Sequence, residues 1–320
     1  MTEPVRITLA VTARNEERCI AATLRSLVRA IEVASGQGRV VVRLVAILDD
    51  CTDHTQNIVR REFPEVEIML ASGGLVEAQR LVAHEKPFVI FCDADVVVDE
   101  GAVAALAHAM LDDPVLQVAY ASKSPLPPQR RTLMAAALYC YNRVNGFQTA
   151  RRYFSGKFFA IRDWQVPTLA ELQPRLQSLP QDAFYDYHAG LRVDDIWLSR
   201  DILKRHGDQA IREIEGAHLR YHPPETFTGM YRMYLRMTRE IERLNVMFPE
   251  TIPVHQHRGY DRAVVRMAPW RDRWLWRVFR VALSLCRLRY KVERYYYQNI
   301  ATAPLDAWRP VEETKVLSSS

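Results

Sequence analysis

Two carboxylates one residue apart, Asp93-Ala94-Asp95, directly follow the apolar run Pro87 to Cys92. A hard divalent cation, Mn2+ or Mg2+, takes oxygen ligands and keeps water or phosphate oxygens in its other positions, so one or two protein carboxylates are enough to hold it. A cation there would stabilise the oxyanion left when a group departs from a diphosphate. On extended chain, alternate side chains project to one side, so the spacing predicts that Asp93 and Asp95 point together. A second acidic cluster, Asp49-Asp50-Cys51-Thr52-Asp53-His54-Thr55, offers carboxylates that can accept the imide N–H of uracil or the N1–H and N2 edge of guanine. The competing use of such acids is to cap and charge a helix N-terminus, and for Asp53 that use is preferred. A third pair, Asp194-Asp195, suits either a general base or the acidic first turn of a helix.

The elements that must carry these groups are readable from periodicity. Ile7 to Val11 is a short β-branched strand, followed by polar Thr12 to Glu17 and then Ile20, Leu24, Leu27, Val28 and Ile31 at helical spacing. Val40 to Leu48, Val66 to Leu70 and Pro87 to Cys92 read as strands. They alternate with helices from about Thr55, capped by Thr52 or Asp53, from Leu75 to Ala83, and from Gly101 to Met110. The alternation predicts a parallel α/β sheet covered on both faces, with ligand outside the carboxyl ends of its strands. The polar clusters fall at those ends. Beyond them, Lys123 to Arg131 reads as a proline-rich loop, Leu133 to Phe147 as a helix, Lys157 to Ile161 as a strand and Gln173 to Asp186 as a mobile loop. A helix follows over Asp194 to Arg205.

The chain has 320 residues, 48% hydrophobic and 25% charged, enough for one large core with an appendage. Its net charge of +5 is too small an excess by itself to imply nucleic-acid binding, which stands only as a third, weaker reading of the basic aromatic C-terminus. Five scattered cysteines form no ligand spacing and suggest reduced thiols, hence a cytoplasmic setting. The N-terminus reads as a strand opening and not a signal peptide, and no apolar run is long enough to span a bilayer.

Three motifs in order carry a family resemblance. Val11-Thr12-Ala13-Arg14-Asn15-Glu16-Glu17, then Leu48 to Thr55, then Phe91-Cys92-Asp93-Ala94-Asp95 resemble the "PxxNE", "DDxSxDxT" and "DxD" segments of family-two glycosyltransferases, the inverting group with the GT-A fold. Thr12 replaces the usual proline and Thr52 the serine. The resemblance implies a GT-A catalytic domain over residues 1–245, with a nucleotide-binding half at 1–120 and an acceptor-binding half at 121–245. It also implies a nucleotide-sugar donor, UDP favoured and GDP allowed, and an acceptor hydroxyl, lipid-linked or a polysaccharide precursor. By that resemblance Thr12 and Asp50 contact the base, Asp49 and Glu16 shape the nucleoside pocket, and Asp93, Ala94 and Asp95 meet the diphosphate and metal; Arg14 and Asn15 are nucleotide-sugar-binding candidates or else structural residues of the loop. Arg80 stands where the family has a phosphate-facing helix, either as a pyrophosphate ligand or as a solvated residue. Leu191 to Arg200 resembles "EDxxLxxR", which makes Asp195 the base and gives Asp194 the glutamate's place. His222 is a candidate third metal ligand, and Arg236, of the series Arg232, Arg236 and Arg239, a candidate diphosphate ligand. A retaining GT-A enzyme, which does not need Asp195, and a non-catalytic sugar-nucleotide-binding module remain as alternatives.

Residues 246–320 form a basic, aromatic extension with a tail, Glu312 to Ser320, expected to be disordered. Tryptophans, leucines and arginines interleave from Trp270 to Tyr297. Two readings stand: a helix lying in an anionic membrane interface, peripheral on the inner face, or helices packed on the catalytic domain or on a second subunit in a homodimer.

Overall fold

The computed structural model describes residues 3–144, 153–192, 194–254, 261–301, 305 and 311–317. Eight strands form one mixed sheet: β1 (Val5–Ala13), β2 (Val40–Asp49), β3 (Glu67–Ala71), β4 (Val89–Asp93), β5 (Val96–Val98), β6 (Val118–Pro125), β7 (Phe158–Ile161) and β8 (Ile211–Tyr221). Their order is β3-β2-β1-β4-β7-β6-β8-β5. The first four run parallel, as the strand–helix alternation predicts. The expectation of a parallel sheet fails beyond β4, because β7 pairs antiparallel to both β4 and β6, and β5 antiparallel to β8. The architecture is GT-A-like, a mixed α/β sheet with C-terminal helices.

Ten helices accompany the sheet among the described residues: α1 (Ile20–Gly36), α2 (Thr55–Glu62), α3 (Leu75–Arg80), α4 (Ala102–Asp112), α5 (Leu133–Arg143), α6 (Leu169–Leu176), α7 (Asp194–His206), α8 (Phe227–Met247), α9 (Arg262–Met267) and α10 (Trp270–Asn299). Strand alternation splits the core in two. Ile7, Leu9, Val11 and Ala13 of β1 share one cluster with Ile20, Leu24, Leu27 and Met110 of α1 and α4. On the other face Ala10, Val45 and Ile47 join a cluster containing Leu138, Leu235 and Phe279 of α5, α8 and α10. Each large apolar side chain buried this way contributes on the order of 2 kcal/mol.

Several boundaries differ from expectation for local reasons. Lys123 to Pro125 belong to β6, where register with β8 overrides the loop signal of the prolines. A register shift between Ala121 and Ser122 falls opposite Gly216, whose φ of +86° suits glycine. Gln173 to Leu176 lie in α6, stabilised by a capping box in which Thr168 Oγ1 accepts from the Glu171 amide and Glu171 accepts from the Thr168 amide. The N-cap of α2 is His54, not Thr52 or Asp53.

The C-terminal extension packs as one long helix. α10 spans 30 residues, about 45 Å, and buries Leu275, Phe279, Ala282, Cys286 and Tyr290, with Phe279 stacked on Tyr141 at 3.8 Å between ring centroids. The tail expected to be disordered is ordered over residues 311–317, with a short 3-10 turn at Glu312–Thr314 and buried Val311 and Leu317.

Candidate active site

Parallel pairing aligns Thr12 of β1 with Asp93 of β4, so the chain reversals after β1, β2 and β4 open on one edge of the sheet. The motif loops are tied together there. Asn15, at φ +54°, turns its Oδ1 to accept from the Thr52 amide at 2.8 Å, and Thr55 Oγ1 accepts from the Glu16 amide at 2.8 Å. Asp53 accepts from the amides of Thr55 and Glu17, both at 3.0 Å, so it ties the loop before α2 together without being that helix's N-cap. Asp49 is buried, accepts from the Gly74 amide at 3.1 Å and faces the Arg14 guanidinium at 3.5 Å. Asp50 adopts φ +44° and exposes its side chain. Thr12 is half-buried at the end of β1.

Asp93 ends β4, and Ala94 and Asp95 form a turn into β5. The same-side argument from extended chain therefore does not apply. The two carboxylates converge on a lysine instead: Lys157 Nζ lies 2.9 Å from Asp95 Oδ1 and 3.3 Å from Asp93 Oδ2. The Lys157 carbonyl also accepts from the Asp93 amide at 2.9 Å. Ala94 is buried, and its carbonyl accepts from Thr23 Oγ1. Burial, only partly offset by Lys157, raises Asp93 to about 6, while the Lys157 ammonium is held well above its ordinary range by the two aspartates against the opposing effect of burial.

Asp195, in the first turn of α7, belongs to the same cluster. Its Oδ2 accepts from the Gly156 amide at 3.3 Å, and its charge is felt by Asp93. A Cβ at position 156 would come within 3.1 Å of Asp195 Cβ, so glycine permits the approach. The Asp194 side chain lies outside the described residues. His222 is buried at the end of β8; burial lowers its pKa, and Glu225 and Asp95 oppose that shift. Burial likewise lowers Arg236, with Asp95 the opposing charge. Arg80 is committed elsewhere: its guanidinium bonds Glu77 and the Val166 carbonyl and lies 5.0 Å from the Trp164 ring centre.

The donor set suits a hard divalent cation. Asp93 and Asp95 supply oxygen ligands in an acid-rich site where burial penalises one of the charges. Lys157 already meets one oxygen of each carboxylate. Among the described residues, no group of three or more His, Cys, Asp or Glu is arranged to enclose a metal, so an ion on Asp93 and Asp95 would need water or phosphate oxygens as its other ligands.

Sequence reasoning missed three residues. Lys157 was read only as a strand opening, and an expectation that β7 borders β4 would have exposed it. Lys315 lies on the Glu16 carboxylate at 2.6 Å. Arg243, fully buried on α8, bonds Glu240 at 2.6 Å and the Asp186 and Gly190 carbonyls at 3.0 and 2.7 Å, fixing the loop that leads into α7.

Residues 4–192 match the family described as Glycosyltransferase like family 2. That match stops short of Asp194 and Asp195. No curated protein matches the chain. Among solved structures, glucosyl-3-phosphoglycerate synthase from Mycobacterium tuberculosis in complex with Mn2+, UDP-glucose and phosphoglyceric acid is similar at 19% identity, covering 75% of this chain and 79% of that one, with a TM-score of 0.46. The same enzyme with Mg2+ and UDP is 21% identical, covering 76% and 79%, with a TM-score of 0.45.

Proposed function

Because the chain belongs to the glycosyltransferase like family 2, we propose that it moves a sugar from a nucleoside-diphosphate sugar, UDP-linked before GDP-linked, to an acceptor hydroxyl with inversion. The convergence of Asp93, Asp95, Lys157 and Asp195 on one edge of the sheet carries this reading.

Asp93 and Asp95 would hold a divalent cation, Mn2+ or Mg2+, whose charge would neutralise that of the departing diphosphate. The chain's own residues do the rest. Lys157 adds a fixed positive charge beside the aspartates, and Arg236 brings a second cation toward the same point. Thr12, Asp50 and the Asn15–Glu16 loop line the nucleoside side. Asp195 accepts the acceptor hydroxyl's proton as that oxygen bonds the anomeric carbon, while the bond to the diphosphate oxygen breaks with its electron pair leaving on the diphosphate. The Gly156 amide holds the Asp195 carboxylate through its Oδ2 at 3.3 Å.

The reading places the enzyme on the cytoplasmic face of a membrane, near a lipid-linked acceptor. No helix among the described residues is long and apolar enough to cross a membrane. α10 nonetheless exposes Trp270, Trp274, Val281, Leu285, Leu288 and Val292 on the side opposite its buried residues. Arg273, Arg277, Arg280 and Lys291 flank that stripe, a pattern suited to anionic headgroups. Asp272 and Glu293 are already paired with Arg143 and Arg289.

The test is incubation with UDP-, GDP- and dTDP-sugars and Mn2+ or Mg2+, reading nucleoside diphosphate release. Release from one donor class supports the reading. Binding without release or transfer favours a silent sugar-nucleotide module, and retained anomeric configuration in the product favours a retaining enzyme.

A further inference from the structure

The segment 311–317 lies across the nucleotide side of the site and is held there by three separate attachments. Lys315 Nζ meets Glu16 Oε1 at 2.6 Å, the Arg14 carbonyl at 2.9 Å and the Asn15 carbonyl at 3.3 Å. An ammonium has three N–H donors, and these three acceptors use them all. Glu313 Oε1 accepts from the amides of Glu225 and Thr226, each at 3.1 Å, and from Thr226 Oγ1 at 2.9 Å, at the start of α8. The buried Leu317 brings its backbone beside the Cys19 thiol at the start of α1. The segment thus bridges α8 and the β1–α1 loop.

Its seat is specific but shallow. Only Val311 and Leu317 are buried apolar anchors among these residues. A half-open pocket of about 220 Å³ lined by Arg18, Arg130, Glu225, Glu312, Glu313 and Val316 borders it, so the segment is not tightly packed along that side. Gly229 leaves room for Glu313, since a Cβ there would overlap Glu313 Oε1. Glu16 Oε2, buried and without a hydrogen-bond partner, points to a carboxylate that Lys315 satisfies only in part.

We propose that segment 311–317 is a displaceable strap that shuts the nucleoside side of the donor site, with Lys315 occupying the loop acceptors that an incoming nucleoside diphosphate needs. This rests on the reading of the β1–α1 loop as part of the donor site. With every donor hydrogen of Lys315 committed to the loop, none is left for a phosphate. Donor entry therefore requires the ammonium to leave, and the closed strap lowers apparent affinity by the fraction of time the site is open.

The probes are UDP and GDP, titrated by calorimetry into the full chain and into Lys315→Ala and Gly229→Ala, the second unseating Glu313 without touching Lys315. Amine labelling of Lys315 is followed by mass spectrometry with and without saturating nucleotide. The strap predicts about 5- to 10-fold tighter nucleotide binding in both variants, and faster labelling of Lys315 when nucleotide is bound. Unchanged or weaker binding in the variants, or labelling slowed by nucleotide, overturns it, weaker binding marking Lys315 as a donor ligand instead. Nucleotide bound equally by all three proteins sinks the strap alone. Failure of all three to bind either nucleotide removes the donor site and the strap with it.

Discussion

Lys157 Nζ stands 2.9 Å from Asp95 Oδ1, and the neighbouring Gly156 amide reaches Asp195 Oδ2 at 3.3 Å. Two consecutive residues at the entrance to β7 therefore connect the DxD carboxylates to the base candidate.

Removing that lysine leaves two close carboxylates to repel each other. Lys157→Met is expected to cost about 2 kcal/mol, below the 3–5 kcal/mol of a fully buried pair because the Lys157 side chain keeps 23% of its exposure. Mn2+ should restore part of the loss. Urea unfolding with and without Mn2+ reads both; a variant as stable as the parent would show that the lysine does not hold the pair.

Arg243 is buried with Glu240 and anchors three carbonyls of the loop before α7, those of Asp186, Tyr187 and Gly190. Arg243→Met strands Glu240 in the core, and the expected loss is about 3–5 kcal/mol. A melting temperature within a degree or two of the parent would contradict this.

The parallel half of the sheet was legible because β1, β2 and β4 are apolar, β-branched runs closed by polar motif loops. The antiparallel half was not. β8 carries Arg212, Glu213, Glu215 and Arg220 among its apolar residues, and β6 ends in Pro125. Of the candidate site, the acids could be named from motif order, but their cations could not. Lys157 is 62 residues from Asp95 and Lys315 is 300 from Asn15, and nothing local marks either lysine as paired. Arg80 shows the converse: its place in the chain suggested phosphate, while Trp164 and Glu77 claim its guanidinium.

Glu16 gives a pH prediction. Burial, opposed by Lys315, raises it from 4.5 to about 7. A carboxyl whose folded value is raised stabilises fully below its unfolded value and loses that contribution as pH rises through the folded one. The stability difference between the parent and Glu16→Gln should therefore shift against the parent from pH 4.5 to about 7 and level off above. Parallel melting curves across that range would contradict the shift.

Asp195→Asn keeps the Gly156 contact but cannot take a proton. With an acceptor in hand, turnover should fall about 10²- to 10⁴-fold, with donor affinity unchanged. Near-normal turnover would favour a retaining course.

The most direct measurement is calorimetric titration of UDP in Mn2+ into the parent and Asp95→Ala, with thermal unfolding as the check on folding. The account predicts metal-dependent binding by the parent and a loss of about tenfold or more in the variant. Equal binding by the two, or no binding by a folded parent, would contradict the assignment of Asp93 and Asp95 to the donor diphosphate.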